Sequence, residues 1–256
     1  MTLWAGGRYD AVGDRIAPIA AEVVAAAGRC VPLADARVVD LACGTGKAAL
    51  AAAAAGARVT GVDVTPELLD IAARAPGGRS VTWVAADAMD TGLAAGEFDA
   101  AVSNMGIIFV DPGRQVAEIA RVLRPGGVLA FSAWVRKPDN PLSAPIAAVF
   151  GAPPAGDFTP DQWGEPDAIR ARLDGLFDNV EIETDTHTWE FDSMMGALFF
   201  LTGQSPMHVA VFAQAEEPQR RALAAAFEDA LDPHLCADGA VRFDTPYVVV
   251  SAVRRT

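Results

Sequence analysis

Three carboxylates fall at the carboxyl ends of three successive apolar stretches of this 256-residue chain: Asp40, Asp63 and Asp87. Between the first two runs Ala42-Cys-Gly-Thr-Gly-Lys47, where Gly44 and Gly46 follow one apolar stretch and open an alanine-rich one. Glycines at such a turn let the backbone approach a ligand closely, with the amides of a helix start facing it. Alone, the run also satisfies the loose pattern of a dinucleotide loop. The acids narrow the chemistry. Asp40 is placed to organise the loop and face a cation, Asp63 to accept hydrogen bonds from both hydroxyls of a ribose, and Asp87 to accept from an adenine amino group. A crevice lined by three acids suits a positively charged nucleoside far better than a pyrophosphate. Any one of them read alone is equally a solvated loop acid or a helix cap; their common register argues against that.

These residues need a sheet to hold them. Arg37–Leu41, Arg58–Asp63, Val81–Ala85, Phe98–Ser103 and Val128–Trp134 read as strands, alternating with helices over Ala48–Ala55, from Pro66, and from Pro112 to Leu123. That alternation predicts βαβ units and a parallel sheet covered on both faces. A helix is expected over Asp14–Ala27, stopped by Gly28, and Thr65-Pro66-Glu67 reads as a capped helix start. Arg124-Pro-Gly-Gly127 should close the helix before it. From Arg136 to Pro166 the chain is rich in proline, including Pro153 and Pro154, as in an ordered excursion over a site. Sixth and seventh strands are expected at Asn179–Glu190 and around Tyr247–Ser251. The expected whole is a seven-stranded, mostly parallel α/β fold. Residues 1–135 form the ligand-binding core with an N-terminal cap helix, and 136–256 complete the sheet and shape a second pocket within the same globule.

Composition excludes several classes. Acids outnumber bases 33 to 20, for a net charge of −13. Such a surface repels nucleic acid and anionic membrane. Cys30, Cys43 and Cys236 are too scattered for a disulfide framework or a zinc site, and no metal is expected. Ser193 to Ala215 carries no Asp, Glu, Lys or Arg, but Gly196, Gly203 and Pro206 break it into two short helices rather than a bilayer span. A cytoplasmic protein without a signal peptide is expected.

Val38-Val-Asp40-Leu-Ala-Cys-Gly-Thr-Gly46, Gly61-Val-Asp63-Val-Thr65, Ala86-Asp87-Ala88 and Leu123-Arg-Pro-Gly-Gly-Val-Leu129 resemble, in order and spacing, the motifs of class I S-adenosylmethionine (SAM)-dependent methyltransferases with a Rossmann-like fold. The flanks, including Ser103-Asn-Met-Gly106, resemble a bacterial small-molecule branch distantly related to the ubiquinone and menaquinone enzymes. Lys47 departs from the glycine found there in many relatives. The resemblance implies SAM as cofactor and S-adenosylhomocysteine (SAH) as product. It places Asp40, Ala42, Gly44 and Gly46 around the methionine and ribose, Asp63 on the ribose, Val64, Asp87 and Ala88 on the adenine, Ser103 at the amino-acid end, Met105 beside the methyl, and Tyr9 closing over the whole.

The expected acceptor is an O, N or C nucleophile of a hydrophobic small molecule, taken up by a monomer or a homodimer. Phe199 and Phe200, beside Met194 and Met195, are candidate walls for it. His187, His208, His234, Asp139 and Asp157 are the available bases. His208, in the uncharged helical region expected to roof the pocket, is the candidate of choice, against the plainer reading of a buried histidine satisfied by a backbone carbonyl. Three rivals stand beside methyl transfer, one of them a non-catalytic protein that only binds the ligand. A SAM-binding cyclase or pericyclase would use the same scaffold. An NAD(P)-dependent oxidoreductase would leave Asp40 and Asp87 without obvious work.

Overall fold

The computed structural model describes residues 2–151 and 158–256; Pro153, Pro154 and Asp157 lie outside them. Seven strands form one sheet in the order β3-β2-β1-β4-β5-β7-β6. Strands β1 (Arg37–Leu41), β2 (Arg58–Asp63), β3 (Thr82–Ala85), β4 (Phe98–Asn104) and β5 (Leu123–Trp134) run parallel, and β7 (Val241–Arg254) is antiparallel to both β5 and β6 (Phe177–Phe191). Val38, Val39 and Leu41 are wholly buried, as a strand covered on both faces requires. Helix α2 (Ala17–Cys30) covers the centre of one face with Ile19, Val23 and Ala27. Beside it α3 (Lys47–Ala54) buries Ala48, Ala49 and Ala52. Their small side chains let α3 lie close to β1, which keeps the loop between them tight.

The chain moves outward from β1 to β3 and then returns to β4 on the other side of β1. Sheet order therefore reverses between β1 and β4, and a crevice opens at their carboxyl ends. The register Asp40↔Val102 brings the first acid level with the end of β4.

Three expectations are corrected. The N-terminal helix is two: α1 (Tyr9–Arg15) stops at Ile16, and α2 then starts afresh. Pro18 is the cause, since its ring and missing N–H forbid an unbroken helix through the preceding turn. Arg124-Pro-Gly-Gly127 is no simple stop either. It bulges within β5, between the pairs Phe98↔Leu123 and Ala100↔Val128, with Gly126 at φ +74°. Thr65 stands at the start of α4 (Pro66–Arg74), but its hydroxyl is hydrogen-bonded to Thr2 rather than capping the helix.

Beyond Trp134, where β5 ends, β6 and β7 continue as a two-stranded ribbon, pairing Thr186–Phe191 with Val241–Pro246. The ribbon rises past the sheet edge on the side of the crevice. After α5 (Pro112–Val122), α6 (Ala144–Phe150) and α7 (Pro166–Leu173) earlier in the chain, its far end leads into α8 (Met194–Phe199), a π-helical turn (Phe200–Gln204), α9 (Pro206–Gln214) and α10 (Glu217–Leu231). The two short uncharged helices are thus present. Among the described residues no helix is long and apolar enough to cross a membrane.

Candidate active site

The loop between β1 and α3 turns twice through the left-handed region, at Gly44 (φ +53°) and Gly46 (φ +77°). Both turns are also crowded. A Cβ on Gly44 would lie 2.7 Å from the ring of Tyr9, and one on Gly46 would lie 2.5 Å from Trp83. Ala42 (φ +51°) and Met105 (φ +55°) adopt the same region without glycine's freedom. Each costs about 1–3 kcal/mol, strain of the kind that gathers at functional sites. The crevice between them is lined by Tyr9, Gly13 and Ile16 on one side, by Asp40, Ala42, Cys43, Thr45, Lys47 and Ala48 around the loop, and by Asn104 from β4.

Asp40 is 1% exposed. One carboxylate oxygen accepts from the amide of Ala49 at 2.8 Å, while Oδ1 has no partner. Burial pushes its carboxyl up to about 8; the Ala49 hydrogen bond opposes this, and the nearby charge of Asp63 adds to it. Asp63 accepts from the amides of Gly44 and Thr65, both at 2.8 Å, one on each oxygen. It therefore ties the end of β2 to the glycine turn, with lone pairs left over. Burial raises its carboxyl too, against the pull of those hydrogen bonds. Asp87 is half-buried two residues beyond Ala85, the register partner of Asp63, and one of its oxygens accepts from the amide of Met89 at 2.8 Å.

The remaining expected residues divide. Tyr9 lies over Gly44, as a lid on the crevice would. Ala88 is buried, its carbonyl held by Gln115 at 3.1 Å, and Val64 is exposed at the lip. Ser103 is corrected. It is wholly buried, donates to the carbonyl of Leu41 at 2.7 Å and accepts from the amide of Ile107 at 3.1 Å. It pins β1 to β4 rather than presenting its hydroxyl to a ligand. Met105 is buried behind it, its amide donating to Ser132 at 3.0 Å.

His208 is corrected as well. Its Nδ1 pairs with the Ser205 hydroxyl and its Nε2 with the carbonyl of Leu142, both at 2.6 Å, and its ring packs against Phe227. It does not line the crevice. Burial holds the imidazole below its ordinary value, against the bond to Leu142, so it is a neutral clamp between α9 and the chain after β5. Substituting His208→Leu leaves two buried polar partners unmet and is expected to cost about 2–3 kcal/mol of stability. Affinity for SAH should not change; denaturant unfolding and calorimetry read the two effects separately. Phe199 and Met195, expected as pocket walls, face solvent at 59% and 80% exposure, whereas Phe200 is buried.

Sequence reasoning missed Thr45, whose buried hydroxyl has no partner, and Asn104, which bridges the carbonyl of Ile16 and the hydroxyl of Ser132. It also missed the work of Lys47, which forms an ion pair with Asp14 of α1. That pair, with Tyr9, holds α1 down on the loop. The space left between α1 and the loop is about 10 Å³, of the order of one water molecule and less than a nucleoside fills. The donor and acceptor set fits such a guest. Unpartnered oxygens on Asp40 and Thr45 suit an ammonium group, and Asp63 and Asp87 retain lone pairs for ribose and adenine.

Comparison with known proteins agrees with this geometry. Residues 39–131 match the methyltransferase domain family. An uncharacterized protein of Mycobacterium tuberculosis is 37% identical over 182 residues, covering 68% of this chain and 63% of that one. A demethylmenaquinone methyltransferase of Clavibacter sepedonicus is 35% identical over 117 residues, covering 45% of this chain and 48% of that one. The chain thus spans less than two thirds of the length of these curated relatives. Among solved structures, a phosphoethanolamine N-methyltransferase of Haemonchus contortus bound to SAH superposes with a TM-score of 0.57 at 18% identity, over 92% of this chain and 52% of that one. The strand order, the glycine turn at the switch point and the matched family agree: residues 39–131 carry a class I SAM-dependent methyltransferase domain.

Proposed function

We propose that this chain transfers the methyl group of SAM to a nucleophilic atom of a hydrophobic small molecule in the cytoplasm, where the cofactor is made. The observation that carries the reading is the buried, half-satisfied carboxylate of Asp40 beside the glycine turn, a site built for a cation. When bound, SAM supplies a methyl already activated by its sulfonium. The chain's own residues then have to hold, align and dry the site. Asp63 anchors the ribose while keeping Gly44 in place, Asp87 and Ala88 receive the adenine edge, and Tyr9 with α1 excludes water once closed. Alignment of this kind supplies roughly 7–11 kcal/mol of barrier reduction. The relative named for demethylmenaquinone supports a flat, apolar acceptor.

The reading is tested by incubating the protein with SAM and a panel of aromatic and isoprenoid acceptors, with SAH and product followed together by mass spectrometry. The expected result is product one CH2 heavier than its acceptor, formed mole for mole with SAH. A transformed product without SAH would replace methyl transfer by a cyclase or pericyclase reaction.

A further inference from the structure

Above the ends of β4 and β5 stands an aromatic wall that the cofactor crevice does not use. The ribbon of β6 and β7 turns His187, Trp189 and Phe191 to one face, with Thr245 and Phe243 beside them by the pairs His187↔Thr245 and Trp189↔Phe243. The ring of Phe200 closes on this face, 5.9 Å from Trp189 and 5.3 Å from Phe191. Into it reaches Arg15, the last residue of α1. Its guanidinium carbon lies 4.9 Å from the ring centre of Phe191 and 5.0 Å from that of Phe200. Residue 16, next in the chain, already lines the cofactor crevice.

This wall is apolar in body and unsatisfied in its polar atoms. Trp189 is 5% exposed and Thr245 2%, yet Nε1 of the one and Oγ1 of the other have no partner. Nε of Arg15 and Nε2 of His187 are in the same condition. Two of the four, on Arg15 and Trp189, can only donate. Among the described residues no carboxylate pairs with Arg15, in a chain whose net charge is −13. Asp244, the acid whose charge reaches His187, accepts from Thr188, and both alternate to the opposite face, while Glu190 on that opposite face pairs with Arg242. A buried donor without an acceptor costs about 1–3 kcal/mol, and here several adjoin a flat aromatic surface.

We propose that this wall is the acceptor site, and that Arg15 anchors there, with Trp189, an anionic oxygen group carried by a flat, conjugated substrate. The proposal rests on the methyltransferase reading and adds to it the charge and shape of the acceptor. Trp189, Phe191 and Phe200 are 5%, 2% and 1% exposed, so the substrate ring takes the place beside them that α1 and Arg15 now cover. The guanidinium, already stacked on Phe191 and Phe200, takes the oxyanion at the end of α1, so the helix that closes on the cofactor also carries the group that holds the substrate.

The test is a pair of probes of nearly equal shape, 1-naphthoate and its neutral counterpart 1-naphthamide. Each is titrated by calorimetry into the wild-type chain and into Arg15→Gln and Arg15→Lys, with and without saturating SAH. The wild type should bind naphthoate at least tenfold more tightly than naphthamide. Arg15→Gln should bring that ratio close to one, and Arg15→Lys should restore part of it. SAH affinity and thermal unfolding, measured on the same samples, separate an anchor from a packing residue. A purely structural Arg15 would alter stability and leave the probe ratio where it was. Equal affinity of the wild type for the two probes, or a preference that survives Arg15→Gln, overturns the proposal. Failure of SAH to bind the wild type overturns the methyltransferase reading instead, and the probe ratio without SAH is still read on its own.

Discussion

Asp63→Ala is expected to lower the affinity of the chain for SAH by a hundredfold or more. The side chain does two jobs at once. Its lone pairs face the position of the ribose hydroxyls, and hydrogen bonds to a charged group are worth about 1.5–3 kcal/mol each, so two of them account for a factor of 10² to 10⁴. It also accepts from the amides of Gly44 and Thr65, and without it the left-handed turn at Gly44 loses its tether to β2. Truncation therefore costs stability too, because two buried amides are left unmet. Asp63→Asn separates the effects. Its single amide oxygen can keep one backbone bond, so much of the stability should return while the ribose contacts stay impaired. Calorimetric titration with SAH and urea unfolding of both variants measure this, and an affinity for Asp63→Ala within threefold of wild type would mean that the ribose is held elsewhere.

What could be read in the chain without coordinates was whatever depends on near neighbours. The apolar runs that became β1, β2 and β4, the glycines at 44 and 46 and the acids at 40, 63 and 87 are all local signals; of the acids, Asp40 lines the crevice, Asp63 holds its glycine turn, and Asp87 stands two residues past the end of β3 without lining it. The break at Ile16 was hidden because the apolar spacing continues through it, and only the ring of Pro18 interrupts the backbone. Arg15 was not legible as a site residue, since its neighbours Phe191 and Phe200 are far along the chain. The same holds for Lys47 and Asp14. His208 misled for a different reason. An uncharged helix says that something apolar is near, but the packing of Phe227 on the ring and the carbonyl of Leu142 decide which way it points.

Asp40 carries the second large expectation, a stability that falls as pH rises. Its carboxyl sits at about 8 in the folded chain against an ordinary value of 3.8. A raised acid binds its proton more tightly when folded. Its stabilising contribution is therefore complete below about pH 4 and is lost progressively up to pH 8, by about 5 kcal/mol at 1.36 kcal/mol per unit. Glu118, held down to about 2 by Arg121, loses its contribution as pH falls below 4.5, overlapping that window only at its lower end. His187 and His208 are lowered, so they lose stability as pH drops below 6.5, with a slope of the opposite sign to that of Asp40 over its whole range. Asp63 is raised and adds to the Asp40 slope. The difference between wild type and Asp40→Asn across pH 4–8 isolates Asp40, and the variant should be the more stable protein at pH 8. The same carboxyl should answer to ligand. A cationic ammonium beside Oδ1 stabilises the ionised form, so SAH binding at pH 7 should release up to about one proton, as linkage requires of a group whose ionisation the ligand favours. Calorimetry in buffers of different ionisation enthalpy counts that proton. Its absence in the wild type, or its persistence in Asp40→Asn, would place the cation away from Asp40 and leave this carboxylate as nothing more than the peg that holds Ala49.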